Sequence, residues 1–238
     1  MVILIIATFL SFIIKGMCGF ANTVAFGSIA GFTANGANRS PLELLIGYPS
    51  NIVMAWKARK SISLRDCLPL SFFLLIGSIP GAILLKNAGT GYTAVILGLM
   101  IVLIGIGELL GERFTKKQKS SRILLPVLGN IAGILSGLFG IEALLAAYLI
   151  KKSRNTRAFR GNLCLVLCLE NTIRIVVYSF SGILTMQILK SGIMLIPAML
   201  LGLFIGIHLS KRVEEKMAKQ VVFYLLIISG VSLFVQGL

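Results

Sequence analysis

The chain has 238 residues, 57% hydrophobic and only 13% charged, with a formal net charge of +15 and a mean hydropathy of +0.95. That much apolar surface exceeds what a soluble domain can hide and matches a polytopic membrane protein, an all-α chain whose lipid-facing side chains need no burial. Positive charge in loops beside an anionic leaflet accounts for the basicity without a nucleic-acid partner.

Eight apolar stretches follow one another. The first, 2–33, is too long for a single crossing, which takes about 20 residues. It lacks a basic start and a small-residue cleavage site, so it reads as a retained segment rather than a signal peptide. Near its middle stand Lys15-Gly16-Met17-Cys18-Gly19-Phe20-Ala21-Asn22. Stretches 41–56, 67–86 and 91–110 each suit one crossing, although 41–56 is short. The fifth, 123–150, is again long and contains Gly133-Ile134-Leu135-Ser136-Gly137-Leu138-Phe139-Gly140-Ile141-Glu142. Stretches 161–180, 186–209 and 220–237 complete the series. Trp56, Tyr92 and Tyr178 fall near predicted interfaces and read as belt aromatics. Glu43, Lys86, Glu108, Lys190 and His208 lie near segment ends, where snorkelling explains them. Cys18, Cys67, Cys164 and Cys168 form no CxxC pair and no cluster with the single His. They read as small apolar packers, with no metal site and no cofactor implied.

Charge placement then limits the number of crossings. Eighteen of the 23 Lys and Arg residues fall in four clusters: Lys57 to Arg65, Arg113 to Arg122, Lys151 to Arg160 and Lys211 to Lys219. Cytoplasmic loops collect such residues. If every stretch crossed once, the clusters would divide evenly between the two faces. If the first and fifth stretches enter, break at their glycines and return, all four lie inside and both termini lie outside. The chain is therefore expected to have about eight membrane segments, six of them full crossings, in two halves of opposite orientation. These are residues 1–112 and 123–238, joined by a basic cytoplasmic linker at 113–122. Internal matches agree: Gly16 with Gly137 and Gly19 with Gly140 at an offset of 121, Asn51 with Asn171 at 120, and Gly77/Gly81 with Gly202/Gly206 at 125.

Inverted halves with glycine-interrupted helices in matching places are the pattern of a secondary transporter, with its site near the midplane. Broken helices free amide N–H groups, which favour an anion. The candidate substrate-binding residues are Lys15, Gly16, Gly19, Asn22, Asn51, Gly137, Gly140, Glu142, Asn171 and Arg174. Glu142 and Glu170 are candidates for proton or ion coupling. Two readings of Lys15 and Glu142 stay open: Lys15 serves the anion, or the two form a structural ion pair between the hairpin tips. Glu170 and Arg174, four apart, can likewise pair on one helix face, and Arg suits a bidentate grip on an oxyanion. The remaining glycines, Gly77, Gly81, Gly129, Gly133, Gly202 and Gly206, read as close-packing positions.

The two glycine-broken segments and the Gly77-Ser78-Ile79-Pro80-Gly81 stretch resemble the sulfite exporter TauE/SafE family over nearly the whole chain. The resemblance implies transport of a small sulfur-containing or other organic anion. The sequence departs from the family pattern at Glu142 and Ala143, where further glycines are usual. A carboxylate there suits an anion site only if Lys15 neutralises it or it holds a proton. The expected function is a secondary anion transporter of the cell membrane, coupled to a proton or sodium gradient. A passive channel and a structural membrane subunit are the alternatives. An enzyme is not expected, since no cluster of His and acids is present. Many small residues leave room for a homo-oligomer.

Overall fold

The computed structural model describes residues 1–30, 36–87, 124–139 and 142–210, with a few isolated positions beyond them. Stretches 91–110 and 220–237, basic clusters 113–122 and 211–219, and Tyr92, Glu108 and Gly140 lie outside the described residues, as does the side chain of Lys86. Among the described residues all regular structure is helical. In chain order the helices are α1 (Val2–Cys18), α2 (Asn22–Ala30), α3 (Gly36–Ala58), α4 (Leu64–Asn87), α5 (Leu124–Phe139), α6 (Ala143–Lys152), α7 (Thr156–Phe180) and α8 (Met186–Leu209), with one 3-10 turn at Arg59–Ser61.

Among the described residues three helical segments are long and apolar enough to cross a membrane: Leu64–Ile83, Thr156–Phe180 and Met186–Leu209. Two of these helices begin on side-chain caps that answer free N–H groups. Asn155 Oδ1 accepts from Ala158 N at 2.8 Å, and Thr185 Oγ1 accepts from Ile188 N at 3.3 Å. The first apolar stretch is indeed interrupted, but at one point only. Helix α1 runs unbroken through Gly16 and stops at Gly19, whose φ of 94° is left-handed and whose N–H bonds back to Lys15 O at 2.6 Å. Ala21, with φ of 73°, completes the break before α2 begins. The fifth stretch is divided likewise, α5 ending at Phe139 and α6 starting after Glu142.

The most extensive helix pairs among the described residues are α4 with α5 and α1 with α8. Both are glycine seams. A Cβ at Gly16 would stand 2.6 Å from Leu203 O, and carbonyls of Phe9 and Ile13 press on Gly202 and Gly206. On the other seam a Cβ at Gly81 would stand 2.5 Å from Ile134 O, and Asn130 O, Leu74 O and Ser78 O press on Gly77, Gly133 and Gly137. In lipid, where apolar surface gains little by leaving its solvent, such backbone approach is a main source of helix association. Contacts climb together in sequence number along each seam, so both pairs are parallel. Gly16 and Gly137 thus lie within intact helices against a neighbouring backbone; the breaks come after them.

One end of the bundle gathers the two described basic clusters. Lys152 pairs with Asp66 at 3.3 Å, Ser63 N donates to Asn162 Oδ1 at 2.8 Å, and Arg160 reaches Ser210 Oγ at 3.2 Å. Clusters 57–65 and 151–160, and the residue that precedes 211–219, therefore meet at the same end. Trp56 is exposed there with the Arg59 guanidinium 4.7 Å from its ring, and His208 is exposed in the last turn of α8. Being parallel to α8, α1 runs toward this end. Being parallel to α4, α5 runs away from it, and α6 returns to it at Lys152.

Two expectations are corrected by the fold. Tyr178 is not a belt residue: it is fully buried, and its hydroxyl bonds to Gly137 O at 2.9 Å. Glu43 does not snorkel: it is buried and accepts a hydrogen bond from Asn22 Nδ2. Both lie close to a helix end in sequence, yet the chain folds over them.

Candidate functional site

A group of ionisable side chains lies in the interior, between the two breaks. Lys15 comes from the last turn of α1, Glu142 from the N-cap of α6, Glu43 from α3, and Glu170 and Arg174 from α7. None is more than 7% exposed. Lys15, Glu43, Glu170 and Arg174 are all charged neighbours of Glu142. Five formal charges at this depth would each cost several kcal/mol if isolated, so mutual compensation or a ligand has to hold them.

Their partners differ sharply. Arg174 is engaged: Nη2 donates to Ser40 Oγ at 2.8 Å and to Tyr178 Oη at 3.2 Å, and Nε faces Glu170 Oε1 at 3.6 Å. The guanidinium also lies 5.3 Å from the Tyr178 ring centroid. Glu170 is therefore paired in charge with Arg174 within its own helix, one turn away, with Ser136 of α5 beside it, although neither Glu170 oxygen accepts a hydrogen bond among the described residues. Glu43 is held by Asn22. Lys15 is different. Among the described residues its Nζ is fully buried and donates no hydrogen bond; it lies over the face of Phe12, 5.7 Å from the ring centroid. Glu142 Oε2, both oxygens of Glu170, Arg174 Nε, Ser136 Oγ, Asn22 Oδ1 and both polar atoms of Asn51 also lack hydrogen-bond partners among the described residues. Buried polar groups are nearly always satisfied, so unanswered donors and acceptors in one region mark a place for a ligand.

The structure brings together Lys15, Asn22, Glu142, Glu170 and Arg174 from the sequence-derived candidates. Asn51 and Asn171 are buried on α3 and α7, helices that pack on one another. Gly19 forms the break beside them, and Gly16 and Gly137 serve the seams. Lys15 and Glu142 are neighbours without a hydrogen bond between them. Sequence reasoning missed Glu43, Ser40, Tyr178 and Ser136. A signal existed for Glu43: with Gly47 and Asn51 it falls at four-residue intervals, which places all three on one face of α3. Ser40 and Tyr178 lie 138 residues apart, and no local pattern joins them. Among the described residues no group of His, Cys, Asp and Glu could hold a metal ion, and Cys67, Cys164 and Cys168 are free thiols.

The arrangement can hold a small anion on an ammonium group and exchange a proton at a carboxylate next to it. It offers no paired acid and base around a nucleophile. Compared with known families, the chain matches the family model described as Sulfite exporter TauE/SafE over residues 4–233. No curated protein and no solved structure matches the chain.

Proposed function

The chain belongs to the sulfite exporter TauE/SafE family, and from that premise we propose that it carries a small sulfur-containing or organic oxyanion, such as sulfite or a sulfonate, by secondary transport coupled to a proton. The family is one of membrane transporters and not of enzymes, which sets the class. The observation that carries the finer reading is Lys15 Nζ, a fully buried ammonium with no hydrogen-bond partner. Its N–H groups suit the oxygens of an oxyanion, whereas Arg174 is already engaged by Ser40, Tyr178 and Glu170. Asn51, with donor and acceptor both unanswered, supplies a neutral grip.

Charge balance assigns the proton. Two cations and three carboxylates already leave an excess of negative charge when all are ionised. An incoming monoanion adds one more negative charge, and a proton on Glu142 returns the group to the charge it had before the anion entered. Glu142 is the apt acceptor because Lys15, the ammonium assigned to the anion, is beside it, whereas Glu170 faces the Arg174 guanidinium.

The proposed architecture is an inverted repeat. Shifting α1 to α4 by 120 to 122 residues lands on the bounds of α5 to α8. The pairing of α1 with α8 answers that of α4 with α5, and α3 with α8 answers α4 with α7. The first stretch would enter from the outside and the fifth from the cytoplasm, with the basic end cytoplasmic and both termini outside.

The test is counterflow in vesicles reconstituted with the purified protein. Vesicles preloaded with sulfite should take up labelled sulfite saturably, and Lys15→Met should abolish uptake in protein that remains monodisperse. Failure of sulfite, thiosulfate, sulfonates and carboxylates alike to be transported or to raise Tm would sink the reading, as would wild-type uptake by the Lys15→Met variant. Uptake without saturation would point to a pore.

A further inference from the structure

Helix α7 touches both broken tips, one near each of its ends. Toward its start, Arg160 donates through Nη2 to the Met17 carbonyl in the last turn of α1. Through Nη1 it donates to Ser210 Oγ, beyond α8, at 3.2 Å. Its stem covers the break itself: a Cβ at Gly19 would stand 2.7 Å from Arg160 Cγ. Toward the other end, Tyr178 Oη donates to the Gly137 carbonyl in the last turn of α5 at 2.9 Å. Arg174 and Ser40 hold that phenol oxygen, each at 3.2 Å.

The last carbonyls of a helix have no partner within it and carry its partial negative charge. A guanidinium meets one such carbonyl on α1, and a phenol hydroxyl steadied by a guanidinium meets one on α5. Along α7 the two contacts are separated by about 27 Å at 1.5 Å per residue, close to the roughly 30 Å of a bilayer core. One contact therefore belongs to each face, and the group around Lys15 and Glu142 lies between them.

We propose that Arg160 and Tyr178 are the positioning residues of transport: each pins one broken tip, and release of one at a time opens the buried group to one face. The proposal rests on the transporter reading for its purpose, though not for its geometry. Both contacts are made here while Lys15, Glu142 and Glu170 are at most 7% exposed, so this structure is the state closed to both faces. Arg160 governs the basic end and, through Met17, the helical turn that carries Lys15. Tyr178 governs the opposite end and, through Gly137, the approach to Glu142.

The experiment reads sided access with a membrane-impermeant maleimide on the full chain in oriented vesicles. Cys164 is fully buried, with its thiol 4.0 Å from Gly19 O, and reports the first tip once Cys18, Cys67 and Cys168 are changed to Ala. Ser136→Cys, buried one residue before Gly137, reports the second in a chain with all four cysteines changed. Arg160→Met should speed labelling of Cys164 from the basic face by about tenfold or more, the loss expected for a charge-assisted hydrogen bond, and leave access from the other face unchanged. Arg160→Lys, which keeps a donor, should recover most of the closure. Tyr178→Phe should speed labelling at position 136 from the opposite face only. Equal gains from both faces would mean general loosening and would overturn the proposal, as would no gain from either. Sided gains in a protein that transports none of the tested anions would uphold the positioning roles and refute the substrate reading instead.

Discussion

Replacing Gly16 with Ala separates a packing glycine from a ligand-binding one. The new Cβ would stand 2.6 Å from Leu203 O, 2.7 Å from Ile207 N and 2.8 Å from Gly206 C, all backbone atoms of α8, whereas ordinary contact begins near 3.4 Å. The helices must part by about 0.8 Å, the difference between 3.4 and 2.6 Å. The carbonyls of Phe9 and Ile13, which press on Gly202 and Gly206 along the same seam, retreat with them. A gap of that size forfeits about a quarter to a half of each atom pair's attraction, itself about 0.1–0.2 kcal/mol. Roughly forty such pairs, the number around one buried Leu, then lose about 2 kcal/mol, within the range of about 1–3 kcal/mol for overpacked cores. Lipid offers no compensating hydrophobic gain between helices. Gly27 supplies the control: it lies within α2 with nothing within 4 Å of a Cβ, so Gly27→Ala should gain about 0.5–1 kcal/mol from helix propensity. Thermal unfolding in detergent should show Gly16→Ala below the parent by several degrees and Gly27→Ala above it. Counterflow per folded molecule should show an unchanged KM for Gly16→Ala. A Gly16→Ala variant as stable as the parent but with weakened anion affinity would refute the seam argument and return Gly16 to the binding site.

Glu142→Gln should uncouple the proton from the anion: sulfite exchange persists while a pH-sensitive dye inside the vesicles records no proton movement with it. Continued proton movement in that variant would remove Glu142 from the coupling role. Asn51→Leu should raise Tm, because it deletes a buried amide with no partner, yet weaken anion binding by about tenfold or more, the loss typical of one good polar contact. A variant that gains stability and keeps its affinity would make Asn51 a structural residue.

Much of the topology was legible because the bilayer imposes one-dimensional rules. Charge is expensive inside it and cheap at its faces, so the runs at 57–65 and 151–160 announced connections, and the structure joins them through Lys152 and Asp66. The positions of the two breaks were legible to within a few residues, because only glycine readily adopts the left-handed backbone at Gly19. The division of labour among glycines was not. Spacing alone cannot distinguish a residue that bends its own helix from one that admits a neighbour: Gly19 takes the left-handed backbone that ends α1, whereas Gly16 stays helical with the α8 backbone against it.

The same limit governed the site. Depth was readable in the chain, since Lys15, Glu142, Glu170 and Arg174 are embedded in apolar runs that water cannot follow. The four-residue spacing of Glu170 and Arg174 allowed a pair on one helix face and equally a substrate or proton site, and in the folded chain they stand 3.6 Å apart. Which charges are spoken for came from the packing of the helices. Ser40 and Tyr178 engage Arg174, and Asn22 engages Glu43, across sequence separations that no local periodicity encodes. Lys15 is left without a hydrogen bond for the same reason: whether a buried ammonium is answered depends on what several helices bring within 3 Å of it, and that is a property of their packing.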